Sequence, residues 1–186
     1  MDVHSEALHA SAVPVDSTPS DSTPYTKEYI DPGFLQNAAE LDRIYNEIDK
    51  LYHQFAKACS LSDCAYWMLY ALVQNQGTMP LRDLSDLWSY SKQTVNSTLK
   101  SLETKELVAI SYAEGSRKNK DVALTTTGKH FCDQYITPAL HAELRAFSAL
   151  TSDERLQLMS LTRRYTNALA KEIKETLTET QRSQSE

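Results

Sequence analysis

Apolar residues recur through residues 34–58 at Leu35, Ala38, Leu41, Ile44, Ile48, Leu51 and Phe55, in steps of three and four. That spacing draws one stripe down a helix from Phe34 to Ala58. Asp31-Pro32 upstream suits a helix entry, because proline is tolerated in a first turn. Tyr45, Tyr52 and His53 widen the stripe. A face this broad on a near-terminal helix needs more than one neighbour, and it fits packing across a dimer axis as well as onto its own domain.

The pattern then shortens. Ser62-Asp63 offers an N-cap for a second helix through Gln74, with Ala65, Met68, Leu69, Leu72 and Val73 facing inward. Asn75-Gln76-Gly77 ends it, Gly77 being the expected left-handed residue. Thr78-Met79-Pro80 reads as extended, since the residue before proline is pushed out of the α region. Leu81, Leu84 and Leu87, with Trp88, make a short third helix, and Ser89-Tyr90 a turn. Ser91 caps a fourth helix to about Lys105, with Val95, Leu99 and Leu102 toward the core. Leu107 to Tyr112 and Asp121 to Thr125 are β-prone runs flanking the polar, Gly115-containing segment 113–120, which makes a hairpin with a long loop. Helical spacing resumes from Thr126 to Leu150, with a break expected near Ile136-Thr137 because Pro138 lacks an N–H. Thr151 with Glu154 forms a capping box for a last helix from Ser152 to about Leu177. Residues 178–186 read as a polar, frayed tail.

Residues 1–27 carry Ser, Thr, Pro, Asp and Ala with little large apolar content. Such a stretch buries too little surface to offset its ordering entropy, and it is expected to be a disordered arm. Its charges are acidic apart from Lys27, which argues against a minor-groove role. No apolar run reaches membrane-spanning length, and no basic n-region precedes an apolar h-region, so the expected location is the cytoplasm. Cys59, Cys64 and Cys132 are odd in number and widely spaced, which fits neither a disulfide framework nor a zinc site. They read as ordinary semi-buried thiols, with redox sensing as the alternative.

The 186 residues carry a net charge of −6, yet residues 91–120 carry a local balance of +3. The fourth helix leaves Ser91, Lys92, Gln93, Thr94, Asn96, Ser97 and Lys100 off its core face. Gln and Asn can pair bidentately with adenine, Lys can reach guanine or a phosphate, and a Thr methyl can touch thymine. The hairpin tip Arg117-Lys118-Asn119-Lys120 suits a phosphate or a narrow minor groove. Taken singly, each of these residues could equally be solvated surface. Helix, turn, helix, hairpin and basic tip within fifty residues are the ordered parts of a winged helix-turn-helix. No metal-ligand spacing among the histidines, no glycine-rich phosphate loop and no nucleophile motif appear, so neither an enzyme nor a cofactor is expected. Asp83 and Asp86 read as a solvated face.

The stretch from about Phe34 to Ile173 resembles the MarR (multiple antibiotic resistance regulator) family of winged helix-turn-helix repressors. The match is strongest over Leu84–Gly128. There SKQTVNSTLKSLETKELV is similar to the recognition helix and its exit, and DVALTTTG to a V-x-L-T-x-x-G signature carried by Val122, Leu124, Thr125 and Gly128. Three positions depart from the family's habit: Ser116 replaces an Asp before the basic pair of the wing, and Ser89 and Glu106 replace glycines.

The resemblance implies a mainly α fold with a small β-hairpin wing. It divides the chain into an N-terminal dimerisation helix over residues 28–62, a DNA-binding domain over 63–130 and C-terminal dimerisation helices over 131–177. It implies a repressor that binds a pseudo-palindromic operator in double-stranded DNA as an obligate homodimer. It also implies a cavity for a small aromatic effector that releases DNA. Tyr52, Tyr66, Trp67 and Tyr70 are candidates for that cavity, and equally candidates for plain core and interface aromatics. Two alternatives stand beside this reading: a redox-sensing regulator of the same fold, and a winged-helix module that binds protein.

Overall fold

The computed structural model describes residues 32–184, so the expected arm over 1–27 lies outside the described residues. Ten elements follow in order: α1 (Pro32–Ala58), α2 (Asp63–Gln74), β1 (Thr78–Pro80), α3 (Leu81–Asp86), α4 (Lys92–Thr104), β2 (Val108–Tyr112), β3 (Lys120–Leu124), α5 (Thr126–Tyr135), α6 (Thr137–Phe147) and α7 (Ser152–Ser183). The fold is mainly α with a small antiparallel sheet of order β1-β3-β2. The chain divides into two units, 1–47 and 48–186. The described part of the first is the N-terminal stretch of α1, with Phe34, Leu35, Ile44 and Tyr45 exposed. Everything below concerns the second.

Its core is built around α2. Eight of that helix's residues are buried, among them Tyr66, Met68, Leu69 and Leu72. Leu84 of α3, Val95, Leu99 and Leu102 of α4, Val122 of β3, and Cys132 and Ile136 at α5 close around it. A helix buried on most of its circumference needs apolar residues on several faces, which the run from Cys64 to Val73 supplies. Among the described residues no helix is long and apolar enough to cross a membrane.

Local chemistry sets the helix limits. The hydroxyls of Ser62, Ser91, Thr125 and Thr151 each accept a hydrogen bond from a first-turn backbone N–H. The Thr151–Glu154 capping box forms in both directions. The break between α5 and α6 falls at Ile136, and Pro138 sits in the first turn of α6, where no donor is required.

Two expectations need correction. The left-handed residue ending α2 is Gln76, at φ 59°, and Gly77 follows it at φ 90°. The Gly77 N–H bonds the Leu72 carbonyl at 2.7 Å, so the turn is a Schellman motif, and its left-handed position falls one residue before the glycine. The last helix also passes Leu177 and runs to Ser183. Its final turns contain no Gly or Pro to break it, so polar sequence stays helical there, and the hydroxyls of Thr178 and Thr180 bond back to carbonyls one turn earlier at 2.9 Å.

The extended segment before Pro80 turns out to be a strand. β1 pairs with β3, Met79 opposite Val122, and β2 pairs with β3 from Val108–Leu124 to Tyr112–Lys120. Pro80 is tolerated because β1 is an edge strand. The junction after the hairpin is tight: a Cβ on Gly128 would lie 1.8 Å from the Leu107 carbonyl oxygen. That carbonyl accepts the Thr125 N–H at 3.1 Å, and the Thr125 hydroxyl caps α5 at the Gly128 N–H at 2.9 Å. The Leu124-Thr125-x-x-Gly128 run therefore has a physical cause: a cap followed by the residue that lets two backbones touch.

Candidate nucleic-acid interface

α4 separates its side chains cleanly. Val95, Thr98, Leu99 and Leu102 are buried, whereas Ser91, Lys92, Gln93, Thr94, Asn96, Ser97 and Lys100 are all exposed. The buried set recurs at i, i+3, i+4 and i+7, so the remaining positions form the outward face by geometry alone. Some of the hydroxyls are committed locally. Ser91 accepts the Thr94 N–H at 3.1 Å and lies 2.9 Å from the Thr94 hydroxyl. Ser97 donates to the Thr94 carbonyl at 3.0 Å. Lys92, Gln93, Asn96 and Lys100 are long or amide side chains, of the types that reach base edges and phosphates.

α3 and α4 are joined by a narrow turn at Ser89, closed by a 2.8 Å hydrogen bond from the Tyr90 N–H to the Trp88 carbonyl. The turn that closes α4 places Glu106 at φ 57°. The Glu106 N–H bonds the Glu103 carbonyl at 2.8 Å and the Leu107 N–H bonds the Leu102 carbonyl at 2.9 Å. Glu106 thus adopts the left-handed conformation that a glycine would take without penalty.

Arg117, Lys118, Asn119 and Lys120 are exposed. Arg117, Lys118 and Asn119 occupy the loop, while Lys120 opens β3. The Ser116 hydroxyl accepts the backbone N–H groups of Lys118 at 3.2 Å and Asn119 at 2.9 Å. It orders the tip by local hydrogen bonding, a short-range counterpart of a carboxylate at that position. Two neighbours were not singled out from sequence. Tyr112, 62 % exposed, lies opposite Lys120, whose Nζ sits 5.5 Å from its ring centroid. Arg82 lines the cleft between the start of α3 and the wing, together with Lys118 and Lys120. The cross-strand placement of Tyr112 depends on hairpin register, which sequence leaves open, and Arg82 carries no periodic signal.

The four aromatic effector candidates gather in one cluster. Trp67 lies 4.5 Å from Tyr52 and 5.4 Å from both Tyr66 and Tyr70, centroid to centroid. Their exposures differ. Tyr66 is wholly buried, and among the described residues its hydroxyl has no hydrogen-bond partner. Tyr70 is buried and donates to Glu143 of α6, and Tyr52 faces the same carboxylate. Tyr52 alone of the four lines an open groove of about 570 Å³ between α1 and α6. Burial, then the Glu143 charge, pushes the Tyr52 hydroxyl up to about 12, and burial raises those of Tyr66 and Tyr70 further, so all three remain neutral donors near pH 7.

The three thiols are buried and free. Burial raises all of them, Cys132 to about 12. A redox sensor needs an exposed, acidified thiol, and none of these has that environment. His53 Nδ1 lies 2.9 Å from Asp63, tying the end of α1 to the start of α2.

Residues 60–118 match the model of the MarR family. No curated protein matches the chain. Among solved structures, the fold is similar to a MarR family regulator of Neisseria meningitidis, at 21 % identity and a TM-score of 0.64, over 75 % of this chain and 98 % of that one. It is similar to MepR of S. aureus in complex with DNA, at 19 % identity and a TM-score of 0.56, over 71 % of this chain and 96 % of that one. It is also similar to BpsR of Bordetella bronchiseptica, whose DNA binding is regulated by 6-hydroxynicotinic acid, at 21 % identity and a TM-score of 0.52, over 70 % of this chain and 98 % of that one.

Proposed function

Residues 60–118 are a MarR-family domain, and from that premise we propose that the protein is a sequence-specific transcriptional regulator, a repressor, that binds double-stranded DNA as a homodimer in the cytoplasm. The observation that carries the reading is the division of α4: its buried residues are apolar apart from Thr98, and its exposed face is made of Ser, Lys, Gln, Thr and Asn over residues 91–101, with the one acidic residue, Glu103, in the last turn. A helix of this kind fits the B-DNA major groove with its first turns toward the base edges. Gln93 and Asn96 are the base readers, Lys92 and Lys100 reach guanine or phosphate, and Arg117, Lys118 and Lys120 grip the flanking backbone. Phosphate positioning and base reading are thereby divided between wing and helix. The similarity to MepR bound to DNA supports the assignment.

The dimer is argued from α7. No residue of this helix is buried, yet Leu156, Met159, Leu161, Tyr165, Leu169, Ile173 and Leu177 are exposed along it, Leu156 by 71 %. An apolar residue in nearly every turn of an unburied helix is stable in water only against a partner surface. A symmetric dimer would supply that surface and set two recognition helices about 34–36 Å apart on an inverted repeat. An effector in the α1/α6 groove would release DNA by favouring a dimer with misplaced reading heads, through its differential affinity for the two states. Regulation of BpsR by a small aromatic acid supports that mode of control.

Fluorescence anisotropy on the purified full-length protein tests the reading, with duplex from upstream of its own gene against a scrambled duplex across a salt series. Selective binding whose log affinity falls linearly with log salt, by about 0.9 per phosphate contacted, is expected. Equal, weak and salt-insensitive binding to both duplexes would favour a protein-binding module.

A further inference from the structure

The open groove between α1 and α6 has the size of a site for a drug-sized molecule, at about 570 Å³. Its walls are apolar: Leu51, Tyr52 and Phe55 on one side, Ala142, Ala146 and Phe147 on the other. Among the residues that line it, a single one carries a formal charge, Glu143. Glu143 lies on the exposed part of α6, so its carboxylate is open to an incoming molecule.

The carboxylate is held in place from behind. It accepts a hydrogen bond from the hydroxyl of Tyr70, a buried residue 73 positions away in sequence, and it faces the hydroxyl of Tyr52. A carboxylate offers about four acceptor positions. Two phenols leave capacity unused, and no basic residue is among those lining the groove; the neighbouring guanidinium, Arg155, lies 5.9 Å from the Phe147 ring centroid and is committed to the Leu150 carbonyl and the Ser152 hydroxyl. Three aromatic residues, Tyr52, Phe55 and Phe147, line the same groove, and the face of an aromatic ring attracts a cation. An anion in the same place would meet the negative charge of Glu143, and among the residues lining the groove the one side-chain hydroxyl, that of Tyr52, is already turned to Glu143.

We propose that the α1/α6 groove binds a small aryl-alkyl ammonium cation, with Glu143 as its counter-ion and Tyr52, Phe55 and Phe147 as its walls. The proposal rests on the effector reading above and gives the effector a charge class: an organic cation, in contrast to a phenolate or an aromatic acid. Tyr52 and Tyr70 are positioning residues that hold the carboxylate.

The test uses two probes of matched shape and opposite charge, 4-phenylbutylamine and 4-phenylbutyrate, titrated calorimetrically into the full-length protein at pH 7. Tryptophan emission provides a second readout, because the Trp67 ring packs, tilted, against Tyr52 with centroids 4.5 Å apart. The amine is expected to bind at least tenfold more tightly than the carboxylate. Glu143→Gln should weaken the amine and bring the two within about threefold, and Phe147→Ala should weaken the amine without favouring the acid. The wild-type ratio decides even where a variant fails to fold. A carboxylate that binds as tightly as the amine overturns the proposal. So does the absence of binding by both, the result expected if a second copy of the chain fills the groove. DNA affinity measured on the same preparation separates the two readings. Selective DNA binding without an amine preference removes the cation site alone, and an amine preference without DNA binding removes the regulator and keeps the site.

Discussion

Replacing Gly128 with alanine puts the packing of the wing against α5 to a quantitative test. The added methyl would sit 1.8 Å from the Leu107 carbonyl oxygen and 2.8 Å from its carbon, where ordinary contact begins at 3.4 Å. Both obstacles are backbone, so no side-chain rotation relieves them. Overpacking of this kind costs about 2 kcal/mol. Moving the Leu107 carbonyl strains its 3.1 Å hydrogen bond from the Thr125 N–H, about 1 kcal/mol. Shifting the first turn of α5 weakens the Thr125 cap on residue 128, about 1 kcal/mol more. The higher helix propensity of alanine returns about 1 kcal/mol. The net loss is about 3 kcal/mol, a fall in melting temperature of roughly 6–12 °C for a chain of this size. Circular dichroism melts at one fixed protein concentration measure it, since the proposed dimer would couple stability to concentration. A Gly128→Ala protein that melts at the wild-type temperature or above would show that the junction yields freely and that the glycine has no packing role.

Four further outcomes are expected. Glu106→Gly should raise stability by about 1 kcal/mol in the same melts, because Glu106 holds φ 57° against a left-handed penalty of roughly 1–2 kcal/mol, partly offset by the unfolded-state entropy of glycine. Lys118→Ala should weaken binding to every duplex and flatten the salt slope by about one unit. Gln93→Ala and Asn96→Ala should each cost about 1–3 kcal/mol on the operator and leave scrambled duplex unaffected, and equal losses on both would remove them from the base readers. Tyr52 titrates at about 12 in the folded chain against 10.0 unperturbed. The folded state therefore holds its proton longer, and this contribution to stability should be complete below pH 10 and lost as pH rises from about 10 to 12; denaturant melts across that window that show no decline would contradict it.

Much of this fold was legible where one residue controls one backbone group. Ser62, Ser91 and Thr151 marked helix starts because a hydroxyl before an apolar stripe answers unpaired N–H groups, and Pro138 marked the break because it has none to give. The α4 face was legible because the helical period assigns its core residues and leaves the rest outward. What depended on partners distant in sequence was not. β1 is three residues long and becomes a strand only by pairing with β3, some forty residues on. The helix-ending left-handed residues are Ser60, Gln76 and Glu106, none of them glycine, because the Schellman hydrogen bonds outweigh a modest conformational penalty. The aromatic candidates were found as a group, but the contact of Tyr70 with Glu143 joins α2 to α6 across 73 positions. A helical repeat read along α6 alone leaves Glu143 as a solvated charge, and only the neighbouring walls make it the pole of a groove.

The most direct measurement on the proposed dimeric DNA reader is a selection of randomised duplexes by the full-length protein, sequenced before and after enrichment. A symmetric pair of recognition helices should enrich an inverted repeat whose half-site centres lie about 34–36 Å apart, one helical turn. A single unrepeated site, or no enrichment, would contradict it.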